Sequence, residues 1–376
     1  MSDPSPFLSP RLDGERFKQH SIPLEVLKDL AVLEELVIEV AKWRFLEENS
    51  QRKRSPRGFT DGISLDLTGV GEGSAIPQIA ILAATIGMLP HNNIVYFEQA
   101  RDRIIAAVDA AEHDEPITAH LPEYLLGYFD RIGRSLRDGE VMEFAPNNPA
   151  RPARLNKATR RKLLLASPNV QDLTDEVTLR GSIPGIQQER KTFEMHVLNG
   201  PTVSGNIPEL HRKTVLEAVN GFEGGVRVLL KGVGRFNRSD RLQSIDSVEH
   251  ISILDSNDVP ARLDDLRGLK DGWLDGKGLA PSSVGLDWFA KSFEGNYPEE
   301  LSLPFVYPTA EGGVQAEWTL GEHDLSLEVD LTSHQGQWHS LNLKTREDSI
   351  RELNLDDAED WKWLEKQISQ LAGGQP

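Results

Sequence analysis

The segment Asp324-Leu-Ser-Leu-Glu-Val-Asp-Leu331 alternates apolar and polar residues along its length. A period of two residues is typical of a β-strand that has one buried face and one solvated face. Residues 313–320 and 337–344 also have the character of strands, and residues 350–355 add a fourth segment of this kind. We therefore predict an antiparallel meander in the last third of the chain.

The N-terminal third is predicted to be mainly helical. Within Val26–Phe45, apolar residues recur every three to four positions, which places them on one face of a helix. Residues 63–68 alternate between apolar and polar types and predict a half-buried strand. Two further helices are expected at 96–112 and 121–137.

The middle third is predicted to be a small β-barrel of the oligonucleotide/oligosaccharide-binding type or a related roll. Short strands surround one expected helix at 208–219, and Asn199-Gly200 is a strong signal for a hairpin turn. The fold class is therefore α+β. It comprises a helical N-terminal domain with some strands, a small β-barrel-like middle module, and a C-terminal antiparallel meander with flanking helices at 281–293 and 356–371.

Charge divides the chain into three parts. The 376 residues carry a net charge of −18, and the sequence pI is about 5.0. Residues 1–150 and 255–376 have net charges of −9 and −14, whereas residues 151–254 have a net charge of +5. Turn-forming residues at 146–149 and 255–260 fall near the same borders. We predict three domains, at 1–150, 151–256 and 257–376.

Composition excludes several classes of protein. The chain has no cysteine, which rules out disulfide frameworks, thiolate metal sites and cysteine nucleophiles. The N-terminus does not have the pattern of a secretory signal. The longest apolar stretch, residues 76–89, is too short to cross a bilayer. We expect a cytoplasmic protein that has no membrane partner.

Two basic segments are candidate phosphate-binding sites. One is the segment Arg52-Lys-Arg-Ser-Pro-Arg57, and the other is the run at 151–162, which is followed by no acidic residue until position 172. Arginine and lysine on an exposed helix can pair with the phosphates of a nucleic acid. They can equally pair with acidic neighbours in the same chain. The candidate residues of the second run are Arg151, Arg154, Lys157, Arg160, Arg161 and Lys162.

Acidic residues on the predicted meander form a candidate metal site. Glu328 and Asp330 share one face of their strand, and Glu317 is expected across from them on the neighbouring strand. Three carboxylates on one sheet face could hold Mg²⁺ or Mn²⁺ and support a metal-dependent hydrolase. The alternative interpretation is an ordinary solvated sheet face.

Tryptophan is concentrated in the last third of the chain, where Trp318, Trp338, Trp361 and Trp363 are candidate partner-binding residues. Aromatic side chains anchor many protein interfaces, and acidic residues surround these ones. The competing interpretation is that the four side chains fill the core of the meander. Trp318 and Trp338 are predicted to lie on adjacent strands.

The segment Tyr307-Pro-Thr-Ala-Glu-Gly-Gly-Val-Gln-Ala-Glu-Trp318, followed by Leu325-Ser-Leu-Glu-Val, resembles a module of uncharacterised bacterial proteins. Some of these proteins come from gene pairs similar to toxin–antitoxin or defence systems. The resemblance covers roughly the C-terminal third of the chain. It implies a bacterial cytosolic protein that acts through a partner protein, and it transfers no catalytic residue.

These observations favour a non-enzymatic cytoplasmic protein that binds another protein, such as an antitoxin-like or accessory partner. A nucleic-acid-binding or processing protein that uses the basic middle module is the alternative, and a metal-dependent hydrolase on the C-terminal sheet is a third hypothesis. The sequence contains no zinc-protease, nucleophile-elbow or dinucleotide-binding motif, so we predict no catalytic residue and no cofactor.

Overall fold

The computed structural model describes residues 6–18, 21–71, 75–83, 93–144 and 151–372. The break predicted at 146–149 lies outside the described residues. Contacts group the chain into two compact units, Met1–Val177 with Lys231–Glu249, and Thr178–Leu230 with His250–Pro376. The three-domain division drawn from charge stays a prediction.

The N-terminal part of the chain is built around one long helix, as predicted. Its apolar face packs on the other helices and strands of the first unit and forms the core of that unit. Two small antiparallel sheets accompany the helices. In chain order the elements are β1 (Arg11–Asp13), α1 (Leu24–Glu48), β2 (Ile63–Gly71), β3 (Ile76–Ala83), α2 (Ile94–Glu112), α3 (Glu123–Leu126), β4 (Val141–Phe144), β5 (Ala153–Leu155) and α4 (Lys157–Leu165).

The prediction of one helix at 121–137 is wrong, because the α-helix here is much shorter. Only α3 is α-helical, and a 3₁₀ turn follows it at Gly127–Asp130. The chain then reverses at Gly133, whose φ of 78° lies in the left-handed region that favours glycine. The carboxylate of Asp29 on α1 accepts hydrogen bonds from the backbone N–H groups of Gly133 and Ser135 and from the Ser135 hydroxyl. Burial raises the pKa of Asp29.

The middle of the chain forms a closed five-stranded barrel in the order β10-β8-β7-β6-β9, which confirms the predicted β-barrel-like module. Asn199, in the predicted hairpin turn, has a φ of 55°. The single α-helix lies between the third and fourth strands of the module, as expected. The elements are β6 (Asp172–Gln187), β7 (Thr192–Val197), β8 (Thr202–Asn206), α5 (Arg212–Asn220), β9 (Val228–Asn237) and β10 (Leu242–Ile253).

The C-terminal part is the predicted antiparallel meander, with one strand more than the sequence indicated. Its five strands follow chain order, and helices cover one face of the sheet. The additional strand, β11, is short and ends at Pro308. The elements are α6 (Val259–Asp265), α7 (Ser283–Asn296), β11 (Phe305–Pro308), β12 (Val314–Leu320), β13 (His323–Val329), β14 (Gln335–Asn342), β15 (Asp348–Asn354) and α8 (Ala358–Ala372).

Two adjacent glycines shape the hairpin between β11 and β12. Gly312 has a φ of 84°, in the left-handed region. A Cβ on Gly313 would lie 2.5 Å from the carbonyl oxygen of Val329, because β13 approaches the turn closely at this point. The Gly-Gly pair of the motif at 307–318 is therefore required by the backbone of the hairpin.

Candidate functional site

The basic run at 151–162 binds carboxylates of its own chain. Arg151 contacts Asp109 and Glu115 at 2.9 and 2.8 Å, and the hydrogen bond to Glu115 raises the pKa of Arg151. Because every cation of the run has a carboxylate within 4 Å, the run presents compensated charge. The other pairs are Arg154 with Glu112 and Glu143, Lys157 with Asp138, Arg160 with Asp130 and Asp175, Arg161 with Asp240, and Lys162 with Asp114.

Arg160 is a structural residue of the first unit, and a phosphate cannot reach it. Its side chain is only 5% exposed, and burial lowers its pKa. The guanidinium donates to the backbone carbonyls of Phe129, Asp130 and Thr174 at 2.8, 2.6 and 2.6 Å. The prediction that Arg160 faces a ligand is therefore wrong, since its guanidinium is buried and binds these three carbonyls.

Three of the four candidate tryptophans lie in the core of the C-terminal sheet. Trp318, Trp338 and Trp361 are 3%, 2% and 2% exposed, so they do not form a partner-binding surface. Trp318 and Trp338 are also not on adjacent strands, because β13 pairs between β12 and β14. The centroids of their rings are nevertheless 5.9 Å apart on the covered face of the sheet. These residues fill the core, as the competing interpretation expected.

Trp363 is half-buried on α8 at the edge of the same core. The guanidinium of Arg351 lies over its ring at 4.3 Å, and a second contact joins that arginine to Asp360. Arg351 on the neighbouring strand therefore covers part of the Trp363 ring, and only the rest of the ring is free to contact a partner.

The three predicted metal-binding carboxylates do not form a metal-binding group. Asp330 lies just beyond the end of β13, where its carboxylate accepts the backbone N–H groups of Thr332 and Ser333. The bond from Thr332 is the main reason that the pKa of Asp330 is lowered. Glu317 and Glu328 face outward at diagonal positions of the sheet. Within the described residues, no group of three or more His, Asp or Glu side chains could hold a metal ion.

The uncovered face of the C-terminal sheet is strongly acidic. We define this open face as the outward positions of β11 to β15. Its carboxylates have no ion-pair partner within the described residues, and no lysine or arginine occupies an outward position of these strands. The face therefore carries uncompensated negative charge. The carboxylates belong to Glu317, Asp324, Glu328, Asp348 and Glu352.

Apolar side chains lie at both edges of the open face. Phe305 and Tyr307 on β11 are 53% and 45% exposed, and Ile350 on β15 is 62% exposed. The strand register places Phe305 and Ile350 in one row across the sheet, together with Glu317, Ser326 and His339. Such a surface combines negative charge with apolar anchors.

A cleft of about 470 Å³ opens at one end of the same sheet. The turn at 309–313 and the turn that follows β13 form two of its walls, and side chains of β14 and β15 line the remainder. Its acidic lining comprises Glu311, Glu328, Asp330 and Glu352, accompanied by the amides of Gln335 and Gln337.

The sequence did not identify six residues of the open face. They are the apolar residues Phe305, Tyr307 and Ile350 and the acidic residues Asp324, Asp348 and Glu352. A four-residue strand that ends at a proline gives almost no alternation, so β11 carries no signal of its own. The alternation of β13 does predict which of its positions face outward, because the polar residues that alternate with its buried leucines lie on the open face.

No helix within the described residues is long and apolar enough to cross a membrane. Comparison of the chain with protein-family models, with curated proteins and with solved structures gave no match.

Proposed function

We propose that the chain is a non-enzymatic cytoplasmic protein that binds a basic partner protein through the open face. In a bacterial gene pair, this would be the role of an antitoxin-like or accessory partner. The observation that carries the proposal is the set of five outward carboxylates on a sheet face that has no lysine or arginine at its outward positions. An ordinary solvated sheet face mixes both signs of charge, whereas this face has one sign only.

The chemistry of the open face suits recognition of a basic surface. Complementary charge accelerates the encounter between two proteins and disfavours partners of the wrong sign. Aromatic anchors provide much of the binding energy at protein interfaces. Phe305 and Tyr307 on one edge, and Ile350 on the other, would supply such anchors around the charged centre.

Reversing charge on the open face tests this proposal. We expect the full-length triple variant Glu317→Lys, Glu328→Lys, Glu352→Lys to bind the partner at least about tenfold more weakly, because like charges then meet across the interface. Affinity capture from the source cells with the wild-type chain would identify the partner. Calorimetry with the purified partner would then give the dissociation constants.

A matched control carries the same change in net charge elsewhere in the second unit, at the exposed residues Glu223, Glu299 and Glu300. This control should bind like the wild-type chain. Equal capture of the same proteins by the wild-type chain and the open-face variant would rule out the proposal.

A second candidate function, nucleic-acid binding, is favoured by the basic turn that follows α1. The four cations of this turn are exposed, and none forms an ion pair within the described residues. Arg52 additionally lies over the ring of Phe45 at 5.8 Å. The basic turn therefore differs from the compensated run at 151–162. Its cations are Arg52, Lys53, Arg54 and Arg57.

We expect that replacing all four cations of the basic turn with alanine would abolish any retention of single-stranded DNA or RNA at low salt. Each cation that contacts a phosphate contributes roughly 0.7 to the salt dependence of binding to a single strand. Fluorescence anisotropy at several salt concentrations measures both effects. Alanine at Arg151, Arg154, Lys157 and Lys162 is the control, which should bind normally. A wild-type chain that binds neither nucleic acid would exclude this candidate.

A further inference from the structure

Three side chains from separate segments meet beside the C-terminal sheet. Trp288 lies on α7, His334 lies in the turn between β13 and β14, and Asp356 follows β15. The indole and imidazole rings stack with their centroids 3.7 Å apart and their planes 5° apart. Both rings also contact the same carboxylate, from Trp288 Nε1 at 3.1 Å and from His334 Nδ1 at 2.9 and 3.0 Å.

The backbone at His334 is held in an uncommon conformation. Its φ of 60° lies in the left-handed region, which residues other than glycine rarely adopt. The His334 N–H donates to the carbonyl of Asp330, and its own carbonyl accepts the N–H of Leu355, both at 3.0 Å. The ring contacts and these two hydrogen bonds together fix the turn against the connection between β15 and α8.

The charged groups around the imidazole are mainly acidic. Asp330 lies in the same turn, and Asp356 accepts the hydrogen bond, which lowers the pKa of Asp356. On α7, Asp287 is bound to Arg267, and Lys291 lies one helical turn beyond Trp288. The imidazole therefore lies against the π face of an indole and beside two carboxylates.

We propose that Trp288, His334 and Asp356 form a clasp that tightens when His334 takes up a proton. Histidine is the side chain whose charge ordinarily changes between pH 5 and pH 8. The neutral ring keeps its Nδ1–H bond to Asp356 but loses the ionic attraction to both carboxylates. Because the turn at 330–335 forms one wall of the acidic cleft, the rigidity of that wall follows the proton. The clasp does not depend on the identity of any partner.

Tryptophan fluorescence measured from pH 8 to pH 5 tests the clasp. A protonated imidazole stacked on an indole quenches its emission, so the wild-type chain should lose part of its signal as the pH falls. The loss is limited to the contribution of Trp288 among the seven tryptophans. It should disappear in Trp288→Phe and in His334→Asn, because asparagine tolerates the left-handed backbone but does not titrate. His339→Asn, on the open face, is the control and should keep the full step.

Hydrogen exchange provides a second measurement that does not depend on fluorescence. The amide protection factors of His334 and Leu355 should be several-fold higher at pH 5.5 than at pH 7.5 in the wild-type chain. Asp356→Asn retains an acceptor for both ring N–H groups but not the charge, so this difference should shrink. A wild-type chain without a fluorescence step, a step that persists in His334→Asn, or equal protection at both pH values would each overturn the proposal.

Discussion

Replacing Arg160 with alanine is expected to lower the free energy of unfolding by about 3–5 kcal/mol. The guanidinium donates to three backbone carbonyls, of which that of Phe129 is buried and the other two are part-buried, and two carboxylates, Asp130 and Asp175, compensate its charge. Removing the side chain leaves the three carbonyls without this donor and the two carboxylates without their cation. Urea unfolding followed by circular dichroism would measure the loss.

Two further variants distinguish the stability that comes from the hydrogen bonds of Arg160 from the stability that comes from a positive charge. Arg160→Lys keeps the charge but lacks the planar fork that reaches several acceptors, so it should still be clearly less stable than the wild-type chain. Arg161→Ala removes a neighbouring cation whose partner is the exposed Asp240, and should cost about 1 kcal/mol or less. Equal losses for Arg160→Ala and Arg161→Ala would contradict the structural role of Arg160.

Replacing Trp338 with alanine should cost about 3–5 kcal/mol in the second unit. The side chain is 2% exposed, and the centroid of its ring lies 5.9 Å from that of Trp318 and 6.1 Å from that of Trp363. Its removal leaves a cavity between the sheet and α8 that the surrounding side chains fill only in part. Thermal unfolding combined with near-ultraviolet circular dichroism would report both the lost stability and the altered aromatic packing.

Trp363→Ala is the matched comparison, since Trp363 lies on the edge of the same cluster. It loses a partly exposed ring and the contact with Arg351, which together are worth about 1–2 kcal/mol. A loss of stability as large as that of Trp338→Ala would mean that Trp363 also belongs to the core of the sheet.

Local periodicity predicted most of the architecture. The apolar spacing of α1 and the alternation of β13 each reflect burial against a neighbouring element, and such burial repeats with the period of the secondary structure. Asp29 shows where this reasoning ends. The sequence pattern places Asp29 between the apolar positions of α1, yet it is buried, because its partners at Gly133 and Ser135 come from a turn more than 100 residues away.

The candidate site was harder to predict for a related reason. Charge counting found the basic centre and the acidic ends of the chain, but it could not determine which charges are paired. The partners of the 151–162 run come from distant parts of the sequence, such as Asp109 on α2 and Asp240 between β9 and β10. Residue type alone also suggested that the tryptophans are binding residues, although aromatic side chains of this size equally serve to fill a core.

The two glycines between β11 and β12 affect how other chains should be compared with this one. Gly312 and Gly313 are needed for the backbone path of the hairpin, whatever the protein binds. A related chain that keeps the hairpin needs the glycine pair, while its outward side chains are free to differ. Under the proposed function, related sequences would therefore be sorted by partner more reliably from the positions of Phe305, Glu317 and Ile350 than from the motif at 307–318.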